Sequence, residues 1–214
     1  MAEHCRSEPS RLVRLAGRVV TNPVANHSPI LGCDIAGIVE AVGKNVKDFH
    51  VGDEVFGDLS GYYWGGFAEY VCARDNALTL KPNNITFEEA AAIPQAGLLA
   101  LQGLLKGKIQ QGQKVLINGA SGGSGTFAVQ IAKSFGAEVT GVCSTSKMEF
   151  VHSLGADYVI DYTKEDFTKN GNHYDLIIDA NGYHSLFDYK RALSPNGVYI
   201  MHGGSSALAN QLML

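Results

Sequence analysis

Cysteine is scarce in this chain, and its spacing does not suggest a metal site. Only four cysteines occur in 214 residues, at positions 5, 33, 72 and 143, and none belongs to a C-x-x-C pair. Structural zinc usually needs four ligands, often in paired cysteines, and catalytic zinc needs three that converge. The seven histidines show no ligand spacing either. The sequence therefore predicts no metal, and no side chain stands out as catalytic.

Excess positive charge and long apolar runs are also missing. The 17 Lys and Arg residues are outnumbered by 21 Asp and Glu residues, which argues against nucleic acid and anionic membranes as partners. No apolar run approaches the roughly 20 residues of a membrane span. The N-terminus carries charges where a secretory signal has an apolar core. We expect a cytoplasmic protein with a small-molecule substrate; arginines at 11, 14 and 18 leave an organellar presequence as the alternative.

Glycine, by contrast, is concentrated in residues 117–126, between a strand pattern at 115–117 and a helix-patterned run. A strand that enters a helix through glycines leaves unpaired backbone N–H groups, which together with the helix dipole favour a pyrophosphate. Ala120, Gly122 and Gly125 stand at the three positions of the G-x-G-x-x-G fingerprint. The segment predicts a dinucleotide site, and a plain structural turn is the alternative.

Strand and helix patterns alternate after this turn. Phe127, Ile131 and Phe135 recur at four-residue spacing, which predicts an apolar helix face, and Gly136 ends the helix. Strand patterns at 139–143, 158–160, 176–178 and 198–201 alternate with helical patterns at 147–154 and 186–193. This alternation predicts an α/β fold with a doubly wound parallel sheet.

Residues before position 93 favour a small β-rich domain. Apolar pairs near residues 38–42 and 51–56 suit antiparallel strands around a turn at 43–45, with further strands at 67–71 and 77–80. Thr86 followed by Glu89 forms a capping-box pattern that predicts a helix start. We place the boundary near Ile93 and Pro94, which gives domains of residues 1–93 and 94–214.

The end of the second parallel strand bears on cofactor choice. A carboxylate there would bind an adenosine ribose and repel a 2′-phosphate, but residues 143–147 contain none. They offer three hydroxyls and the ammonium of Lys147, which suit a phosphate dianion. We therefore predict NADPH; the alternative is that Ser144 and Ser146 only cap the next helix.

These motifs resemble the zinc-independent quinone oxidoreductase branch of the medium-chain dehydrogenase/reductase superfamily. Five strings carry the resemblance, at residues 31–39, 51–57, 65–71, 91–101 and 117–126, whereas residues 1–29 match poorly. The resemblance implies an incomplete GroES-like catalytic domain followed by a Rossmann domain. It also implies NADPH-dependent hydride transfer to a quinone or an activated enone or carbonyl without zinc, and a homodimer if the chain is complete. Cys33 lies where zinc relatives carry a histidine ligand; we predict a buried small hydrophobe there.

Cofactor-binding positions follow from the same resemblance. Those at the pyrophosphate turn are Gly119, Ala120, Ser121, Gly122, Gly123, Ser124 and Gly125. Those near the 2′-phosphate are Ser144, Lys147 and, less closely, Ser146; those passing the adenosine and nicotinamide are Asn181, Gly203 and Gly204.

An aromatic run before Gly65 is the candidate substrate pocket. The flat rings of Tyr62, Tyr63 and Trp64 suit a planar substrate, and structural packing is the alternative. Relatives have further strands at both ends, so the alternative function is a truncated, non-catalytic NADPH-binding or interaction protein.

Overall fold

Alternating apolar residues build the first half of the chain into an antiparallel sheet. A computed structural model describes residues 12–16, 30–62 and 64–202, with backbone alone for 12–16. The chain divides into two compact units, and the boundary along the sequence falls between Gln95 and Ala96. The strands of the first unit are β1 (Leu12–Ala16), β2 (Asp34–Val42), β3 (Glu54–Asp58), β4 (Tyr70–Arg74) and β5 (Leu78–Leu80), in the order β4-β1-β2-β3-β5.

The core of the first unit is formed by one face of these strands and the loops beside them. Its buried members are Ile35, Val39, Phe49, Val55, Leu59 and Ala73. β1 pairs with β2 on one side and with β4 on the other, so a strand that the sequence patterns did not predict lies inside the sheet. The predicted capping box is confirmed, because Thr86 and Glu89 exchange both hydrogen bonds at the start of α1 (Phe87–Ala91).

Two predicted strands of this unit were placed too early along the chain. Residues 67–69 lie outside a strand because the amides of Gly66 and Phe67 bond to Gly32 and Leu31, so pairing starts only at Tyr70. The turn Asp75–Ala77 then delays β5 to Leu78.

The second unit is a five-stranded parallel sheet with helices, which confirms the predicted α/β class. Its strands are β6 (Lys114–Asn118), β7 (Glu138–Cys143), β8 (Tyr158–Asp161), β9 (Tyr174–Asp179) and β10 (Leu193–Met201), in the order β10-β9-β6-β7-β8. Its helices are α3 (Gly123–Ser134), α4 (Met148–Ser153) and α5 (Leu186–Ala192), while α2 (Pro94–Lys106) begins just before the boundary. This order is typical of nucleotide-binding sheets: β6 is central, β7 and β8 are added on one side of it, and β9 and β10 are added on the other.

Apolar runs explain the central strands. Leu116, Ile117, Ile177 and Ile178 are completely buried, as is usual where helices cover a parallel sheet. β10 begins five residues before the predicted position, because Leu193 already pairs with Tyr174 ahead of an irregularity in the register. Across the described residues, no helix is long and apolar enough to cross a membrane.

Candidate functional site

The glycine turn joins β6 to α3 at the carboxyl end of the parallel sheet. Gly119 has a φ of +85°, in the left-handed region. It lies one position before Ala120, the residue at the first position of the fingerprint. A Cβ on Gly125 would lie 2.1 Å from the carbonyl oxygen of Gly119 and 2.8 Å from the Cα of Ala120. Only glycine fits at position 125 without moving this backbone.

The backbone donors of the turn fall into two groups. The amides of Gly119 and Ala120 donate to the carbonyl of Val142, and that of Gly122 donates to Gly119, so these three hold the turn itself. Gly122 is the N-cap of α3 and supplies no side-chain cap. The amides of the first helical turn therefore have no acceptor within the helix and lie at its positive end.

This arrangement fits a diphosphate. Its free donors come from the start of α3, at Gly123, Ser124 and Gly125, and the missing Cβ at Gly125 keeps the backbone close-packed behind them. Gly122 and Gly123 are exposed, whereas Ala120 is fully buried and packs inward. Ala120 is thus a core residue of the turn.

A buried carboxylate, which the sequence analysis missed, links three strand ends beside this turn. Asp179 ends β9 with no exposed surface, and its Oδ1 accepts from Asn118 Nδ2 at 2.9 Å and from the Asn181 amide at 3.1 Å. Its Oδ2 accepts from the Tyr199 hydroxyl at 2.7 Å. Burial first, and then the nearby Asp179 carboxylate, raise the pKa of Tyr199, so its phenol stays protonated and donates.

Asn181 lies directly against the glycine turn. A Cβ on Gly119 would stand 3.3 Å from the Asn181 Cβ, and the Ala180 amide donates to the carbonyl of Asn118 at 3.0 Å. Asn181 itself is exposed. Gly203 and Gly204, the other predicted positions after a strand, lie outside the described residues.

The serine-rich turn follows β7. Ser144 Oγ and Ser146 Oγ lie 3.5 Å apart, and Ser146 and Lys147 are exposed. Ser144 is the N-cap of the short turn Thr145–Lys147, but its side chain makes no capping hydrogen bond, and the N-cap of α4 is Lys147. The capping alternative is therefore not what the structure shows, and both serine hydroxyls face one another without capping a helix.

The third hydroxyl of this turn has another partner. Thr145 Oγ1 donates to the Asp161 carboxylate at the end of β8, which also accepts from Thr163. The Thr145 hydroxyl is thus bonded within the protein, to an acceptor on a neighbouring strand that the local sequence does not reveal. Tyr162, half exposed beside Asp161, is a further side chain at this strand end that the sequence reasoning missed.

The aromatic candidates belong to the first unit. The Arg74 guanidinium lies 5.7 Å from the centre of the Tyr62 ring, within the range of a cation–π contact. Trp64 has a φ of +58°, and its amide donates to the Leu59 carbonyl at 3.4 Å. Tyr63 lies outside the described residues.

Cys33 is a buried thiol next to Asp34. It is 6% exposed and donates to Asp34 Oδ2 across 3.6 Å. Burial, followed by the charges of Asp34 and Asp58, raises the pKa of the thiol to about 12, so the thiol stays protonated. Within the described residues, no three His, Cys, Asp or Glu side chains group as metal ligands.

Comparison with known proteins identifies the class to which this fold and turn belong. Residues 4–83 match the alcohol dehydrogenase GroES-like domain, and residues 123–213 match the zinc-binding dehydrogenase family. The chain belongs to the medium-chain dehydrogenase/reductase superfamily, as predicted. The first match begins at residue 4 and therefore extends into residues 1–29.

Particular relatives narrow the resemblance. The chain is 42% identical over 159 residues to a 2-methylene-furan-3-one reductase of Solanum lycopersicum, and 41% identical over 159 residues to a chloroplastic NADPH-dependent alkenal/one oxidoreductase of Arabidopsis thaliana. Each alignment covers 71% of this chain and 41% of the relative. The chain thus spans less than half the length of these relatives.

A solved structure has the same architecture. The quinone oxidoreductase from Coxiella burnetii superposes with a TM-score of 0.82 at 30% identity, covering 89% of this chain and 66% of that one. The quinone oxidoreductase of Pseudomonas syringae superposes with a TM-score of 0.78 at 27% identity, covering 94% of this chain and 70% of that one.

Proposed function

We propose that this chain binds NADPH and transfers its hydride to a quinone or to an activated enone or carbonyl. The observation that carries the proposal is the uncapped start of α3 at Gly123, beside a turn that offers Ser144, Ser146 and Lys147 without capping a helix. The first element suits a diphosphate and the second a 2′-phosphate. The names of the similar reductases support the same chemistry.

The chain's own residues then have two tasks. The glycine turn and Asn181 hold the cofactor at the carboxyl edge of the sheet, and Lys147 with the two serines selects the phosphorylated ribose. When bound, the nicotinamide supplies the hydride. We propose that residues 1–93 form the catalytic domain, that residues 94–214 form the nucleotide domain, and that Tyr62, Tyr63 and Trp64 line the substrate pocket.

We also propose that the reaction needs no zinc and takes place in the cytoplasm. The first point is supported by the ligand geometry, because catalytic zinc needs three converging side chains and no three His, Cys, Asp or Glu side chains converge among the described residues. Full activity after chelation and metal analysis would agree with it, and activity that returns only with added zinc would contradict it. Imaging of the tagged protein tests the location, since the similar Arabidopsis protein is chloroplastic by name.

Paired binding and turnover assays test the proposal on the 214-residue chain. Calorimetric titration with NADPH should give saturable binding, and a panel of quinones and enones should accelerate NADPH oxidation. Binding without turnover would favour the alternative, a non-catalytic NADPH-binding or interaction protein. Absence of both would contradict the proposal.

A further inference from the structure

A second buried carboxylate lies beside the serine-rich turn. Asp161 ends β8, is 6% exposed, and pairs in the parallel register with Cys143, the last residue of β7. The turn that contains Ser144 begins at the next residue. Asp161 is therefore adjacent to the segment assigned to the 2′-phosphate, although it lies 14 or more residues away along the chain.

Both carboxylate oxygens of Asp161 have donors. Oδ2 accepts from Thr145 Oγ1 and lies 3.4 Å from Lys164 Nζ. Oδ1 accepts from the Thr163 hydroxyl at 2.7 Å and from the Thr163 amide at 3.0 Å. The hydrogen bonds from Thr145 and Thr163 hold the pKa of Asp161 at about 2, so the group is an ionised acceptor at neutral pH.

The contact with Thr145 fixes the turn from outside. Neither Ser144 nor Lys147 caps its helix with a side-chain hydrogen bond, so local capping does not hold this segment. Thr145 lies between the two serines, and anchoring its side chain inward to Asp161 leaves the flanking hydroxyls of Ser144 and Ser146 3.5 Å apart. A pair of donors at this spacing can address the oxygens of a single phosphate.

Negative charge so close to a phosphate would ordinarily oppose binding. Here the Asp161 oxygens are directed at Thr145, Thr163 and Lys164, and the carboxylate is almost fully covered. Its hydrogen bonds are thus used within the protein, and the exposed surface of the turn presents hydroxyls and the Lys147 ammonium.

We propose that Asp161 is the positioning residue for cofactor discrimination: through Thr145 it holds the 144–147 turn in the form that selects the 2′-phosphate. The inference rests on the proposed NADPH function and adds the residue that sets its specificity. Asp161 acts through Thr145 and does not itself contact the cofactor.

The test is the ratio of dissociation constants for NADH and NADPH, measured by calorimetry. A general loss of stability would weaken the binding of both cofactors alike, whereas a disordered 144–147 turn would weaken the binding of NADPH alone. Asp161→Ala and Thr145→Val should each lower the ratio roughly tenfold, the effect of one charge-assisted hydrogen bond. Asp161→Asn keeps the shape of the side chain and one acceptor oxygen, so its ratio should equal or exceed the wild-type value. Titration with 2′,5′-ADP and with ADP should repeat the pattern.

Asp157→Asn is the matched control. Asp157 also bridges β7 and β8, accepting from the Val139 amide at 2.7 Å and from Lys133 at 2.8 Å, but at the amino end of β8. The ratio of the dissociation constants for NADH and NADPH in Asp157→Asn should equal that of the wild type. A wild-type chain that does not prefer NADPH overturns both the proposed function and this inference. A wild-type preference that survives Asp161→Ala and Thr145→Val, or rises in Asp161→Ala, overturns the inference alone.

Discussion

The two edges of the parallel sheet use aspartate in different ways. At the amino edge, Asp157 pairs with Lys133 at 2.8 Å, and Asp175 accepts from the Lys114 amide at 2.9 Å. At the carboxyl edge, the fully buried Asp179 is held by the neutral donors of Asn118 and Tyr199. The amino-edge groups join β8 to α3 and β9 to β6 away from the turns, whereas the carboxyl-edge group joins β6, β9 and β10 directly beside the turn that we assign to the cofactor. Substitutions at the first edge should change stability, and those at the second should change binding as well.

The largest contrast is expected between two glycines. Gly125→Ala forces a Cβ to within 2.1 Å of the Gly119 carbonyl oxygen, so the turn must open and NADPH affinity should fall by about 100-fold or more. Gly112→Ala is the control before β6: its φ of +79° is strained for alanine, but the space is open. It should cost about 1 kcal/mol of unfolding free energy and leave NADPH affinity unchanged. Calorimetry and urea unfolding measure the two effects, and equal NADPH affinity in both variants would contradict the comparison.

Next in size is the removal of the buried carboxylate. Asp179→Ala leaves Asn118, Tyr199 and the Asn181 amide without their acceptor, and should lower the unfolding free energy by about 3 kcal/mol. Asp175→Ala, at the opposite edge, loses one partly exposed hydrogen bond and should cost about 1 kcal/mol. Urea denaturation checks both values, and similar losses in the two variants would remove the distinction between the edges.

Two lysines sharpen the comparison for ligand binding. Lys147→Ala should weaken NADPH about tenfold and leave NADH unchanged, because only the 2′-phosphate is expected to meet its ammonium. Lys133→Ala breaks the amino-edge pair with Asp157 and should cost less than about 1 kcal/mol of stability without altering either affinity. Parallel titrations with the two cofactors distinguish these outcomes. If Lys147→Ala lowered the affinity for NADH as much as that for NADPH, the ammonium would not be the group that recognises the 2′-phosphate.

The smallest effect concerns acid stability. Hydrogen bonds from Thr145 and Thr163 depress the pKa of Asp161 from 3.8 to about 2, so its ionised form stabilises the fold above about pH 4, and that contribution is lost as the pH falls toward 2. The stability difference between wild type and Asp161→Asn should therefore shrink over this interval. Urea unfolding at several pH values measures it, and a constant difference would contradict the hydrogen-bonded arrangement.

Local periodicity was sufficient to predict much of the second unit. The apolar run before Asn118, the glycines after it and the helical spacing from Phe127 are short-range signals, and β6, the turn and α3 follow from them. The predicted apolar face was only partly right, because α3 buries Ala128, Val129 and Ala132 while Phe135 follows the helix and is exposed. The first unit was less predictable because its pairing is long-range. β1 is only five residues long, and its place between β2 and β4 depends on partners far along the chain.

The candidate site shows the same limit. Residue type after a strand was enough to propose Ser144, Ser146 and Lys147 as candidates. The partner of Thr145 could not be predicted, since Asp161 becomes its neighbour only through the pairing of β7 with β8. Asp179 was likewise hidden, although a single acidic residue at the end of a buried apolar run was a usable signal. The fingerprint located the turn, but it did not show that the left-handed residue is Gly119, which lies one position before Ala120.

The most direct test of the account is a calorimetric titration of the unmodified 214-residue chain with NADPH and, separately, with NADH. The geometry of the carboxyl edge predicts one binding site that prefers NADPH by about tenfold or more, the contribution expected from a phosphate held by an ammonium and two hydroxyls. Equal affinity for the two cofactors, or no binding of either, would contradict it.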